Sequence, residues 1–116
     1  MMSLGAAPTF AFEPSADMVA VDERARRLID PGFGRVFTDH MAIIRYSEEK
    51  GWHDPRITAR QPLKMDPGAA VLHYAQEIFE GMKAYYRPNG GAALFRPDAN
   101  ARRFNASARR LAELTR

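Results

Sequence analysis

Two short runs, residues 82–86 and 92–95, carry apolar and aromatic side chains on either side of Arg87-Pro88-Asn89-Gly90-Gly91. Asn-Gly and Gly-Gly steps supply the positive φ angles that tight turns between antiparallel strands require, so the segment is predicted to be a β-hairpin with a slightly long loop. Antiparallel pairing is thereby fixed for this part of the chain, and the remaining elements are read around it.

Residues 36–46 are rich in β-branched and aromatic side chains and free of Gly and Pro, which predicts a strand. Residues 47–55 read as a turn punctuated by Gly51 and Pro55. A second strand is predicted over 56–65, with Ile57, Leu63 and Met65 on one face and Pro62 favouring an edge or a bend. Asp66-Pro67-Gly68 ends it. Over 69–79, Leu72, Ala75, Ile78 and Phe79 recur at spacings of three and four, the pattern of a short helix, with Gly81 as its stop. From Asp98 onward Ala101, Phe104, Ala108, Leu111 and Leu114 mark one face of an amphipathic helix, for which Asp98 or Asn100 is the candidate N-cap.

Residues 1–32 are interrupted by Pro8, Pro14 and Pro31, and only 18–29 suit a helix, with Val21, Ala25 and Leu28 on one side. They are expected to form a peripheral arm that packs loosely or is partly disordered. The predicted fold class is α+β, an antiparallel sheet with flanking helices, organised as an arm over 1–32 and a small domain over 33–116.

Composition removes several function classes. A 46% apolar and 27% charged chain of 116 residues is ordinary for one globular domain. No window is apolar enough to span a bilayer, and no basic segment leads a long apolar core at the N-terminus, so the expected compartment is the cytoplasm. The absence of cysteine excludes disulfides and thiolate metal sites. His40, His53 and His73 are widely spaced, and His73 with Glu77 lacks the second histidine of a zinc-protease motif, so no metal site is expected. Neither a Gly-x-Ser-x-Gly elbow nor a P-loop is present.

Charge leaves one alternative open. The net charge is +3 and the pI about 9.6, and the excess is concentrated in Arg96, Arg102, Arg103, Arg109, Arg110 and Arg116. A basic helix can be a footprint for nucleic-acid phosphates, but no aromatic platform is interleaved with these arginines, and a solvated helix face is the commoner outcome. Arg103 stands apart. It lies in or just past the first turn of the predicted last helix, where a planar guanidinium can grip a phosphate, although an exposed helical arginine is the usual case. Tyr74 and Phe79, on a short apolar helix, read from the residues alone as plain core more often than as a pocket.

Three blocks in order narrow these alternatives: Phe33-Gly34-Arg35-Val36-Phe37-Thr38-Asp39-His40-Met41, then 71–85 with Phe79-Glu80-Gly81-Met82-Lys83-Ala84-Tyr85 at its end, then Leu94-Phe95-Arg96-Pro97 through Ser107-Ala108-Arg109-Arg110-Leu111. Together they resemble the N-terminal domain of branched-chain amino acid aminotransferases, enzymes of pyridoxal phosphate fold type IV. The resemblance runs from about Phe33 to Leu111. It implies that Arg103 binds the phosphate of pyridoxal 5'-phosphate and that Phe33, Tyr74 and Phe79 line the pocket for a branched side chain, the tyrosine across a homodimer interface. An aromatic pocket suits leucine, isoleucine and valine because it rewards apolar burial and offers a charged side chain no partner.

The implied reaction is amino transfer between those amino acids and 2-oxoglutarate. It also implies that the lysine bonding the cofactor covalently lies in a second, larger domain beyond Arg116. Lys50, Lys64 and Lys83 do not match it, so the 116-residue chain alone is expected to be inactive, and no catalytic residue is assigned within it. The family's usual apolar step and proline after the last block are replaced by Ala112-Glu113-Leu114-Thr115-Arg116. D-amino acid aminotransferases and aminodeoxychorismate lyases share the fold and remain rivals, as does a fragment serving only as a structural or regulatory partner.

Overall fold

The computed structural model describes residues 9–113, and the predicted contribution of Leu114 to the last helix lies outside them. The elements run β1 (Ala11–Phe12), α1 (Val21–Arg27), β2 (His40–Ser47), β3 (Gly51–Ala59), α2 (Ala70–Tyr74), β4 (Ala84–Tyr86), β5 (Ala92–Leu94) and α3 (Pro97–Glu113). The class is α+β, with small sheets and helices. They fall into two compact units, Met1–Leu63 and Lys64–Arg116, so residues 33–63 share a unit with the preceding arm.

In the first unit the strand order is β1-β3-β2, with β2 antiparallel and β1 parallel to β3. The predicted second strand is shifted. It starts at Gly51 and contains Pro55, both of which had read as turn. The pairing explains how a proline is tolerated. Between Ile43↔Arg56 and Arg45↔His53, β2 advances two residues while β3 advances three, which is a bulge on β3. Asp54 there adopts φ 56°, left-handed backbone in which Asp is enriched, and Pro55 follows in the bulge, where a missing N–H costs no ladder bond.

The first unit also ties residues 11–24 of the arm in place. Phe12 pairs with Ile57, and the Glu13 N–H donates to the Ile57 carbonyl at 2.8 Å. Further along, the Ser15 N–H donates to His40 Nε2 at 2.9 Å and the Val19 N–H to Asp39 Oδ1 at 3.3 Å, while Arg24 forms an ion pair with the same carboxylate. The Val19 N–H, and then Arg24, hold the Asp39 carboxyl below its ordinary range.

In the second unit α2 is five residues long rather than eleven. It ends at Ala75, which takes φ 50° as a left-handed cap, so the chain leaves the helix six residues before Gly81. Residues 75–83 then run without regular structure to the hairpin β4–β5, whose register is Ala84↔Leu94 to Tyr86↔Ala92. Gly90 and Gly91 have φ 86° and 81°, as the loop sequence requires. The single antiparallel sheet expected from sequence is thus, among the described residues, two sheets, one of three strands and one of two, and the larger contains a parallel pair.

The last helix begins at Pro97, a residue pre-set for the first helical position. Neither predicted cap acts as one. Asp98 binds Arg102 one turn on, at 2.6 Å, and Asn100 reaches away from the helix. The sheltered face of α3 also differs from the apolar stripe: Asn100, Ser107 and Leu111 are half-buried, whereas Ala101, Phe104 and Ala108 are exposed. No hydrophobic side chain among the described residues is fully buried.

Candidate functional site

Arg103 sits in the second turn of α3, three residues beyond Asn100, so both project toward the same neighbouring segment. That segment is the irregular stretch following α2. Its Glu80 side chain is 9% exposed and receives every bond on offer: Arg103 Nε donates at 2.6 Å, Arg103 Nη2 donates to the second oxygen, Asn100 Nδ2 at 2.8 Å, and the Gly81 N–H at 3.1 Å. Asn100 Nδ2 also donates to the Gly81 carbonyl at 2.9 Å. Arg103, then Asn100, lower the Glu80 carboxyl from 4.5 to about 2, and the same pairing raises Arg103.

A guanidinium has five N–H donors in a plane. Glu80 takes the edge formed by Nε and Nη2, and the Arg103 side chain is otherwise open, at 70% exposure. The residue is therefore a fixed cation with an anchored edge and an outward edge. A phosphate monoester, whose oxygens accept paired N–H bonds, fits that donor set.

Phe79, next to Glu80, turns its ring across Gly81, where a Cβ would lie 3.6 Å from the ring. With Ile78 it faces Ser107, Arg110 and Leu111 of α3, forming an open groove one to two turns beyond Arg103. Tyr74 ends α2 and is 85% exposed. His73, beside it, donates from Nε2 to the Pro67 carbonyl at 2.6 Å, which fixes α2 to the Asp66-Pro67-Gly68 turn. Phe33 lies in the first unit, fully exposed, on a turn between Gly32 and Gly34, both in left-handed backbone. The fold thus brings Arg103 and Phe79 to the same stretch of chain, joined through Glu80.

Glu80 and Asn100 are the members of this cluster that the sequence reading did not single out for a site. Their signal is the spacing Asn100–Arg103 on one helix face, opposite an acidic residue with no helical partner of its own. The late arginines are also less available than their number suggests, since Arg102 and Arg103 are paired with Asp98 and Glu80. Among the described residues no three His, Asp or Glu side chains converge as metal ligands, and no helix is long and apolar enough to cross a membrane.

No family model matches the chain. Individual relatives do. The probable branched-chain-amino-acid aminotransferase of Streptomyces coelicolor is 56% identical over 104 residues, covering 90% of this chain and 29% of the relative. By this match the present chain is a homologue of the branched-chain-amino-acid aminotransferases. The Mycobacterium tuberculosis enzyme of that name is 50% identical over 102 residues, 88% of this chain and 27% of the relative. The cytosolic branched-chain-amino-acid aminotransferase of Saccharomyces cerevisiae is 51% identical over 79 residues, 68% and 21% respectively. This aminotransferase homologue spans about a quarter of the length of the curated relatives it matches.

Proposed function

We propose that this chain is the part of a branched-chain-amino-acid aminotransferase that supplies Arg103 to the phosphate of pyridoxal 5'-phosphate and Phe33, Tyr74 and Phe79 to the pocket for the substrate side chain. The observation that carries the reading is the anchored guanidinium of Arg103, held at one edge by a sheltered carboxylate and open at the other.

In this proposal the cofactor, once bound, supplies the electron sink for proton transfer at the substrate α-carbon. The residues described here bind and orient. Arg103 fixes the phosphate end, and the groove of Ile78, Phe79 and Leu111 offers apolar surface to a leucine, isoleucine or valine side chain. The products are branched 2-oxo acids and, from 2-oxoglutarate, glutamate. A homodimer is proposed, with Tyr74 reaching the neighbouring subunit, and a cytoplasmic setting, which the name of the yeast relative supports.

A chimera tests this reading. The chain replaces the aligned 104-residue stretch of the Streptomyces coelicolor relative, and amino transfer from leucine, isoleucine, valine and D-alanine to 2-oxoglutarate is measured. Activity on the three branched L-amino acids is expected. A folded chimera inert toward them, or one preferring D-alanine, contradicts the proposal.

A further inference from the structure

An acidic side chain beside a cation reserved for phosphate is at first sight a defect, because its charge repels the ligand and occupies the binder. The geometry around Glu80 gives it a different task. Both carboxylate oxygens are committed, to Asn100, the Gly81 N–H and one edge of Arg103, and the side chain is nine-tenths buried. The three N–H groups of Arg103 that Glu80 leaves unbonded point from a plane whose orientation is already set. A free arginine has several rotatable bonds to immobilise on binding, and holding it in advance removes that cost.

The same bonds act on the groove. Asn100 donates to both Glu80 and the Gly81 carbonyl, so the residues flanking Phe79 on its C-terminal side are pinned to α3. We propose that Glu80 is a positioning residue: with Asn100 it presents the outward edge of Arg103 to a phosphate monoester and holds the Phe79 segment against α3, so that phosphate recognition and the apolar groove share one support. This rests on the reading of Arg103 as the phosphate ligand, and the experiment separates the two.

The 116-residue chain is titrated with pyridoxine 5'-phosphate, which cannot form an imine with lysine, and with pyridoxine as the control lacking phosphate. Binding of both ligands is followed by ligand-observed proton NMR, and the Arg103 Nε–H exchange rate is measured by nitrogen-15 NMR in the wild type and in the two positioning variants. The expected result is phosphate-dependent binding that falls about tenfold or more in Arg103→Ala and about two- to tenfold in Glu80→Gln and Asn100→Ala, the scale of one mobile side chain that must be ordered on binding. Nε–H exchange is expected to accelerate in both positioning variants. Asn100→Ala keeps the carboxylate and its charge, so it reads orientation even where Glu80→Gln unfolds the segment.

If Glu80→Gln binds as tightly as the wild type or more tightly while Arg103→Ala is weak, Glu80 is only a counter-charge and the positioning role falls, leaving Arg103 in place. Unchanged Nε–H exchange and affinity in Asn100→Ala also overturn it. If Arg103→Ala binds normally, or the wild type binds pyridoxine equally well, the phosphate reading itself fails.

Discussion

The titration of Glu80 is the most direct physical consequence of its surroundings. An ordinary glutamate titrates at 4.5, and here bonds from Arg103 and Asn100 bring the carboxyl to about 2. Because the folded-state value is depressed, the stabilising contribution is complete above pH 4.5 and is lost as pH falls toward about 2. Replacing Arg103 with Ala removes the largest cause and leaves Asn100, so the titration is expected to move most of the way back toward 4.5. Asn100→Ala should move it less. The assay is carbon-detected NMR of the Glu80 carboxyl between pH 1.5 and 6, in the range set by those two values. Since Arg103 is 70% exposed, raising salt from low ionic strength past about 0.15 M should lift the value by less than the substitution does. A wild-type midpoint near 4.5, or one indifferent to Arg103→Ala, refutes the clasp.

Other expectations follow from the backbone and the lysines. Gly91→Ala places a Cβ at φ 81° and should destabilise the hairpin by about 1–2 kcal/mol, read as a lower urea midpoint for the second unit. Ala75→Gly relieves the left-handed cap of α2 and should stabilise by up to about 1 kcal/mol, seen as a higher thermal midpoint. The 116-residue chain with leucine, 2-oxoglutarate and pyridoxal phosphate should show no sustained turnover. Of its three lysines, Lys50 ends a surface turn, Lys64 is exposed and Lys83 lies 5.1 Å from the Tyr85 ring, none of them lining the groove, so borohydride should trap no single lysine selectively.

What could be read from sequence divides by the range of the interaction. The hairpin was legible because Asn89-Gly90-Gly91 satisfies a local demand for positive φ, and it appears where expected. The amphipathic stretch after Pro97 gave α3, and residues 36–46 gave most of β2. Failures came where a distant partner overrides local preference. Gly51 and Pro55 read as breakers, yet β2 recruits them into β3 by means of a bulge. The parallel pairing of Phe12 with Ile57 has no local signal at all.

The α2 helix shows a different limit. Apolar spacing over 69–79 fits a helix, but Glu80, Gly81 and Asn100 exchange bonds that hold the following segment against α3. The sheltered face of α3 follows the same clasp, so it is polar at Asn100 and Ser107 rather than centred on Phe104. Arg103 draws attention in the sequence by its place near the start of the helix and by the resemblance, whereas its pairing with Glu80, 23 residues away, is a long-range contact with no local signal.

Retention of pyridoxal 5'-phosphate by the chimera and by its Arg103→Ala variant decides the matter. With the phosphate held by this guanidinium, the cofactor dissociation constant should rise roughly 10- to 150-fold in the variant, the range for losing a charge-assisted hydrogen bond, while binding of pyridoxal without phosphate stays the same. Equal retention of the phosphorylated cofactor by both proteins would contradict the assignment.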